Sequence, residues 1–125
     1  VSNLNDTQQC LGAATSLQTN TELMKINLCQ PIRNICDGTS EILFFANDIP
    51  EVNGIFTVTN SSSNCTILLS VLDRNGFIVY ALSPQDSFTA GTNELIDISY
   101  TCTGPDPTAF CTGSFEANLY YCVDC

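Results

Sequence analysis

From residue 23 onward the chain is a succession of short apolar runs of Ile, Val, Leu, Phe, Tyr and Thr, each closed by Asn, Asp, Gly, Pro or Ser. Runs of this length and punctuation predict strands rather than helices. They are Leu23–Cys29, Glu41–Ala46, Gly54–Thr59, Cys65–Leu72, Phe77–Leu82, Ser87–Ala90, Leu95–Cys102 and Ser114–Val123. The longer runs show a period of two. Ile96, Ile98 and Tyr100 alternate with Asp97, Ser99 and Thr101, and Phe115, Ala117, Leu119 and Tyr121 alternate with Glu116, Asn118 and Tyr120. Successive strand side chains point to opposite faces, so these strands are predicted to bury one face and wet the other. Cys65–Leu72 (CTILLSVL) is apolar on both, which predicts a central strand or one covered on its second side, for instance by another subunit. The pattern as a whole predicts an all-β fold: a β-sandwich of two four-stranded sheets, most simply an eight-stranded jelly roll.

Two connections carry further information. Asp73-Arg74-Asn75-Gly76 joins two runs, and its Asn-Gly step tolerates the positive φ of a tight hairpin. The loop Thr103–Thr112 has Cys102 and Cys111 near its feet, where a disulfide is geometrically easy. Residues 1–22 are polar, short in side chain and weakly patterned, so they read as an N-terminal connector arm to a sandwich domain of residues 23–125.

Composition narrows the function. The 125 residues (13.5 kDa) are 44% hydrophobic, which suits one domain with its own core. Three Lys+Arg against 13 Asp+Glu give a formal charge of -10, which argues against nucleic acid or anionic lipid as a partner. Histidine is absent, so His-dependent triads and common zinc hydrolase sites are excluded. No Gly-rich phosphate loop is present, and Lys25, Arg33 and Arg74 are too scattered to clamp a nucleotide. No apolar run is long enough for a membrane-spanning helix. The sequence opens at Val1 with neither a basic n-region nor an apolar h-region, and the expectation is that any targeting segment has been removed.

Among polar candidates, Asp97 and Glu116 occupy outward positions on strands that could be neighbours, but outward acids on so acidic a chain read as solvation rather than a glycosidase pair. Asn47-Asp48 to Glu51 and Asp73 to Asn75 offer hard oxygens for calcium without matching an EF-hand loop. Asn5, Asn60 and Asn64 fit the N-glycosylation pattern. Tyr80, Tyr100, Tyr120 and Tyr121 are candidates for a sugar-stacking platform, though Trp is absent, and most Phe positions read as core. The reading is of a protein that is not an enzyme and uses no cofactor.

Eight cysteines, at 10, 29, 36, 65, 102, 111, 122 and 125, are spread over the chain. The even number points to disulfides and an oxidising, extracellular setting. Cys122-x-x-Cys125 lacks the second pair that structural zinc needs and sits after a strand rather than at a helix start, where a redox motif belongs. Cys10, on the arm, is placed either to reach a neighbouring chain or to fold back on its own domain.

Several short stretches, Leu28-Cys29, Leu43–Asn47 (LFFAN) before Gly54-Ile55-Phe56, Val71-Leu72-Asp73 with its turn through Gly76, Ser87-Phe88-Thr89 and Gly113-Ser114-Phe115-Glu116, give residues 24–122 a resemblance to the Ena fibre family, the subunits of bacterial endospore appendages. The resemblance implies an eight-stranded jelly roll with a cysteine-bearing connector that inserts into neighbouring subunits and is disulfide-bonded to their outer strands. It makes Cys10 the donor thiol and Cys29 an acceptor. The family connector carries adjacent cysteines where this arm has one, and the family's last-strand cysteine falls where this chain has Glu116. Cys122 or Cys111 is the candidate to substitute for it. Cys36, Cys65, Cys102, Cys111 and Cys125 are then the candidates for bonds within the chain. The expected protein is a self-assembling structural subunit of a disulfide-cross-linked, pilus-like fibre on the cell or spore surface, whose partners are its own copies and, at an end, a surface anchor or tip protein. The alternative is a monomeric secreted β-sandwich that binds a carbohydrate or protein ligand.

Overall fold

The computed structural model describes residues 23–122. They form eight strands: β1 (Leu23–Ile35), β2 (Asp37–Phe45), β3 (Asn53–Asn60), β4 (Thr66–Asp73), β5 (Gly76–Leu82), β6 (Ser87–Thr92), β7 (Asp97–Thr103) and β8 (Phe110–Cys122). Two antiparallel four-stranded sheets result, ordered β1-β8-β3-β6 and β2-β7-β4-β5. This order is compatible with a jelly roll, in which long connections carry the chain back and forth between two facing sheets.

The strand ends depart from the alternation pattern in places with identifiable causes. β1 runs past Cys29 and through Pro31, pairing with β8 from Leu23↔Cys122 to Ile35↔Phe110. A proline inside a strand is tolerated because β1 lies at the sheet edge, where its missing N–H costs the ladder nothing. β7 begins at Asp97, leaving Ile96 exposed rather than inward. β2 carries a register shift between Ile42 and Phe44, and the bulge leaves Ile42 and Phe45 both exposed while Leu43 is buried. The β4–β5 turn is closed by the pair Asp73↔Gly76, and positive φ falls on Gly76 (114°) and not on Asn75.

Between the sheets lie Ile32, Phe56, Val58, Ile67, Leu69, Leu82, Ile98, Phe115 and Leu119, all essentially inaccessible. Phe56 stands against both Phe88 and Phe115, with ring centroids 6.3 and 6.4 Å apart. Phe45, Phe77 and Phe110, by contrast, are exposed. β4 occupies an interior position in its sheet, between β7 and β5. Cys36 is bonded to Cys65, and Cys102 on β7 to Cys111 on β8, so the second bond ties one sheet to the other.

Candidate functional site

The chemistry that could join this molecule to another lies on its two outer sheet faces. On the β1-β8-β3-β6 sheet, the odd-numbered residues of β1 point outward and the even-numbered ones inward, as the burial of Ile32 and the reach of Gln30 Nε2 to the Leu43 carbonyl (3.5 Å) show. The outward set places Cys29 on the edge strand, directly across from Glu116 of β8, which in turn pairs with Thr57 of β3. The rest of this face is mixed: Thr57 and Thr89 share a hydroxyl hydrogen bond of 2.8 Å and Thr59 donates to Ser87 Oγ at 3.5 Å, while Ile35, Ile55, Phe110 and Tyr120 are exposed beside them. Lys25 and Arg33 flank Cys29 on the same side of β1, and the Arg33 guanidinium lies 4.0 Å over the Phe110 ring.

The outer face of the β2-β7-β4-β5 sheet carries large exposed apolar side chains on its edge strands. Cross-strand registers align Phe45, Asp97, Leu72 and Phe77 in one row and Ile42, Ser99, Ser70 and Val79 in the next. Phe77 is 65% exposed, Ile42 64%, Phe45 56% and Val79 51%. The exposed apolar side chains thus stand on the two edge strands, Ile42 and Phe45 on β2 and Phe77 and Val79 on β5, with Asp97, Ser99, Ser70 and Leu72 on the strands between them. The two-sided apolar pattern of Cys65–Leu72 points to this side of the sheet, as does that of Phe77-Ile78-Val79; the exposure of Ile42 and Phe45 depends on the bulge in β2, which alternation does not show.

The structure accounts for the remaining candidates individually. Cys36, Cys65, Cys102 and Cys111 are buried in the two disulfides, and Cys29 and Cys122 are disulfide-bonded as well. Cys10 and Cys125, like Asn5, fall outside the described residues. Asp97 and Glu116 are not neighbours: they sit on different sheets, and Asp97 Oδ1 is buried without a hydrogen-bond partner. The Asp73 carboxylate is committed to the fold, accepting from the Asn75 N–H at 2.8 Å and the Thr92 hydroxyl at 3.0 Å. Among the described residues, no three His, Cys, Asp or Glu side chains come together as metal ligands do. Asn60 is fully buried, so it is not an acceptor for a glycan in the folded chain. The tyrosines form no platform: Tyr100 is buried, Tyr80 packs on Phe88 at 4.1 Å, and Tyr120 and Tyr121 alternate across β8.

Few groups are electrostatically perturbed. Hydrogen bonds from the Thr39 side chain and backbone lower the Asp37 carboxyl, and those from Thr108 lower Asp106. Burial, reinforced by the Glu41 charge, raises Tyr100. None of these is a reactive pair facing a cleft.

Residues 11–123 match the family model described as endospore appendages. The fold is similar to a solved structure described as "Bacillus endospore appendages form a novel family of disulfide-linked pili", with a TM-score of 0.63 and 11% identity over 90% of this chain and all of that one. A lesser likeness, with a TM-score of 0.48 and 14% identity, is to the structure of infectious bursal disease virus Gx strain, covering 81% of this chain and 31% of that one. No curated protein sequence matches the chain.

Proposed function

Since the chain belongs to the endospore-appendage family, we propose that it is a structural subunit that self-assembles into a disulfide-cross-linked, pilus-like fibre at the spore surface. The observation that carries this reading is the family match over residues 11–123. In the proposed fibre, residues 1–22 act as a connector arm, and Cys10 of one copy is bonded to Cys29 of another. The position of Cys29 supports this: it lies on the outer face of an edge strand, where an extended segment can be added without disturbing the core. A contact of this head-to-tail kind does not close on itself, so it propagates as a filament.

Cys29 already has a disulfide partner in the single chain, and the intermolecular bond is therefore formed by exchange. Exchange trades partners between the disulfides of two copies, one S–S bond within a chain giving way for each one formed between chains, so there is no net consumption of oxidant or reductant. The exposed apolar side chains of the edge strands, Ile42 and Phe45 on β2 and Phe77 and Val79 on β5, add non-covalent holding energy where copies cover them, at about 25 cal/mol per Å². Cys122 is a further candidate for a bond between chains. The single cysteine of the arm, where the family has two, and Glu116, where the family has cysteine, fit a subunit near a fibre end, joined to a surface anchor or tip protein.

Substitution Cys10→Ser tests the covalent arm. The expected result is assemblies that fall apart in hot detergent without reductant. Assemblies as resistant as those of the unaltered chain overturn the arm mechanism.

A further inference from the structure

The chain has three cations, and they are not evenly used. Arg74, at the β4–β5 turn, is ion-paired with Glu94. The other two, Lys25 and Arg33, have no ion pair among the described residues, and both project from the outer side of β1. They stand four residues before and four residues after Cys29, so that extended backbone places each roughly 13 Å from it. The arm carries the complementary half. Its charged side chains are Asp6 and Glu22, with no cation, and Asp6 precedes Cys10 by the same four residues.

We propose that Lys25 and Arg33 form an electrostatic register for the arm of a second copy, holding Asp6 against one of them so that Cys10 is delivered to Cys29. The proposal rests on the arm reading above and adds the recognition step that precedes the bond. An arm running parallel to β1 sets Asp6 beside Lys25, and an antiparallel arm sets it beside Arg33; Cys10 meets Cys29 in both. On a molecule with a net charge of -10 the average surface disfavours an acidic arm, so two cations without an ion pair on either side of the acceptor cysteine favour approach there. Glu116, across from Cys29, adds to the need for the flanking cations, since it is the acid nearest the bonding position. Pro31 adds a limit: without an N–H it interrupts strand addition between Cys29 and Arg33.

The test uses the full chain and follows inter-chain cross-linking on non-reducing denaturing gels at low ionic strength. Asp6→Lys is expected to slow cross-linking about 3- to 10-fold. Combining it with either Lys25→Glu or Arg33→Glu is expected to restore the rate, and the partner that restores it gives the direction of the arm. The differences are expected to vanish near 0.5 M salt, where exposed charges are screened. An unchanged rate in Asp6→Lys, or failure of both double variants to restore it, overturns the register. A second measurement separates this from failure of the arm reading itself. Cleavage after Lys25 and Arg33 places Cys10 and Cys29 in different tryptic peptides, so a fibre assembled from equal amounts of light and heavy-isotope chains reveals whether Cys10 is joined to Cys29 of another copy. Mixed-mass cross-linked peptides with charge-insensitive rates leave the arm in place and remove the register; absence of the mixed peptide in the unaltered chain removes both.

Discussion

Asn60 shows how much one buried polar side chain does in this fold. Its Nδ2 group donates to the carbonyls of Cys65 at 2.8 Å, Leu82 at 3.0 Å and Ser83 at 3.2 Å, and its Oδ1 accepts from the Ser62 N–H at 2.9 Å. It thereby satisfies buried backbone groups where the ends of β3, β4 and β5 converge. Asn60→Ala strands those carbonyls away from water, and a loss of about 3 kcal/mol in unfolding free energy is expected from denaturant titration. Sequence alone presents Asn60 as the head of a glycosylation motif, because the motif is local and the carbonyls it serves are 5 to 23 residues away. Tyr100 has the same character: an inward strand position is legible in the alternation, but its neighbour Glu41 is brought to it by sheet pairing. Burial and that charge raise its phenol above the ordinary value of about 10. The unfolded chain gives up this proton first, so Tyr100 contributes stability below about pH 10 that is lost as the pH climbs toward the folded value. Absorbance titration of tyrosinate in the unaltered chain and in Tyr100→Phe is expected to differ by a component ionising above pH 10; a component at or below 10 contradicts the assignment.

At the scale of the strands, β8 organises the first sheet, pairing with β1 on one side and β3 on the other. Gly113 makes the second pairing possible: a Cβ at this position would strike the Thr59 carbonyl oxygen. Gly113→Val is therefore expected to lower the melting temperature by 10 °C or more and to separate β3 from β8, seen as loss of amide protection along β3. Periodicity located all eight strands because strand alternation is a local signal. It did not show the extension of β1 through Pro31, which depends on β1 being an edge, nor the outward turn of Ile42 and Phe45, which depends on a bulge against β7. The apolar outer face was for that reason only half visible, through the two-sided pattern of Cys65–Leu72. Replacing Phe77 by Asp tests that face. Because its side chain is exposed, monomer stability is expected to change by less than about 0.5 kcal/mol, while assembly monitored by light scattering is slowed or abolished; assembly at the normal rate excludes the face from the contact.

At the scale of the whole molecule, durability comes from covalent closure around a core of ordinary size. The Cys36–Cys65 bond spans 29 residues and Cys102–Cys111 spans 9, and loop-closure entropy makes the longer one worth about 1 kcal/mol more. The paired variant Cys36→Ala/Cys65→Ala is accordingly expected to be less stable than Cys102→Ala/Cys111→Ala by that margin in denaturant titration. The architecture was legible from strand count and spacing, the extracellular setting from eight cysteines, and the Cys102–Cys111 bond from the short loop between the two; the Cys36–Cys65 bond was not, because nothing local in the sequence joins sulfurs 29 residues apart. Copies of this chain joined to one another by disulfides have a direct signature when native assemblies, with thiols blocked, are run on a denaturing gel with and without reductant. The expected result is a ladder, or mass too large to enter the gel, that collapses on reduction to a band at 13.5 kDa. A single band at that mass in both lanes means that no disulfide joins one copy to another.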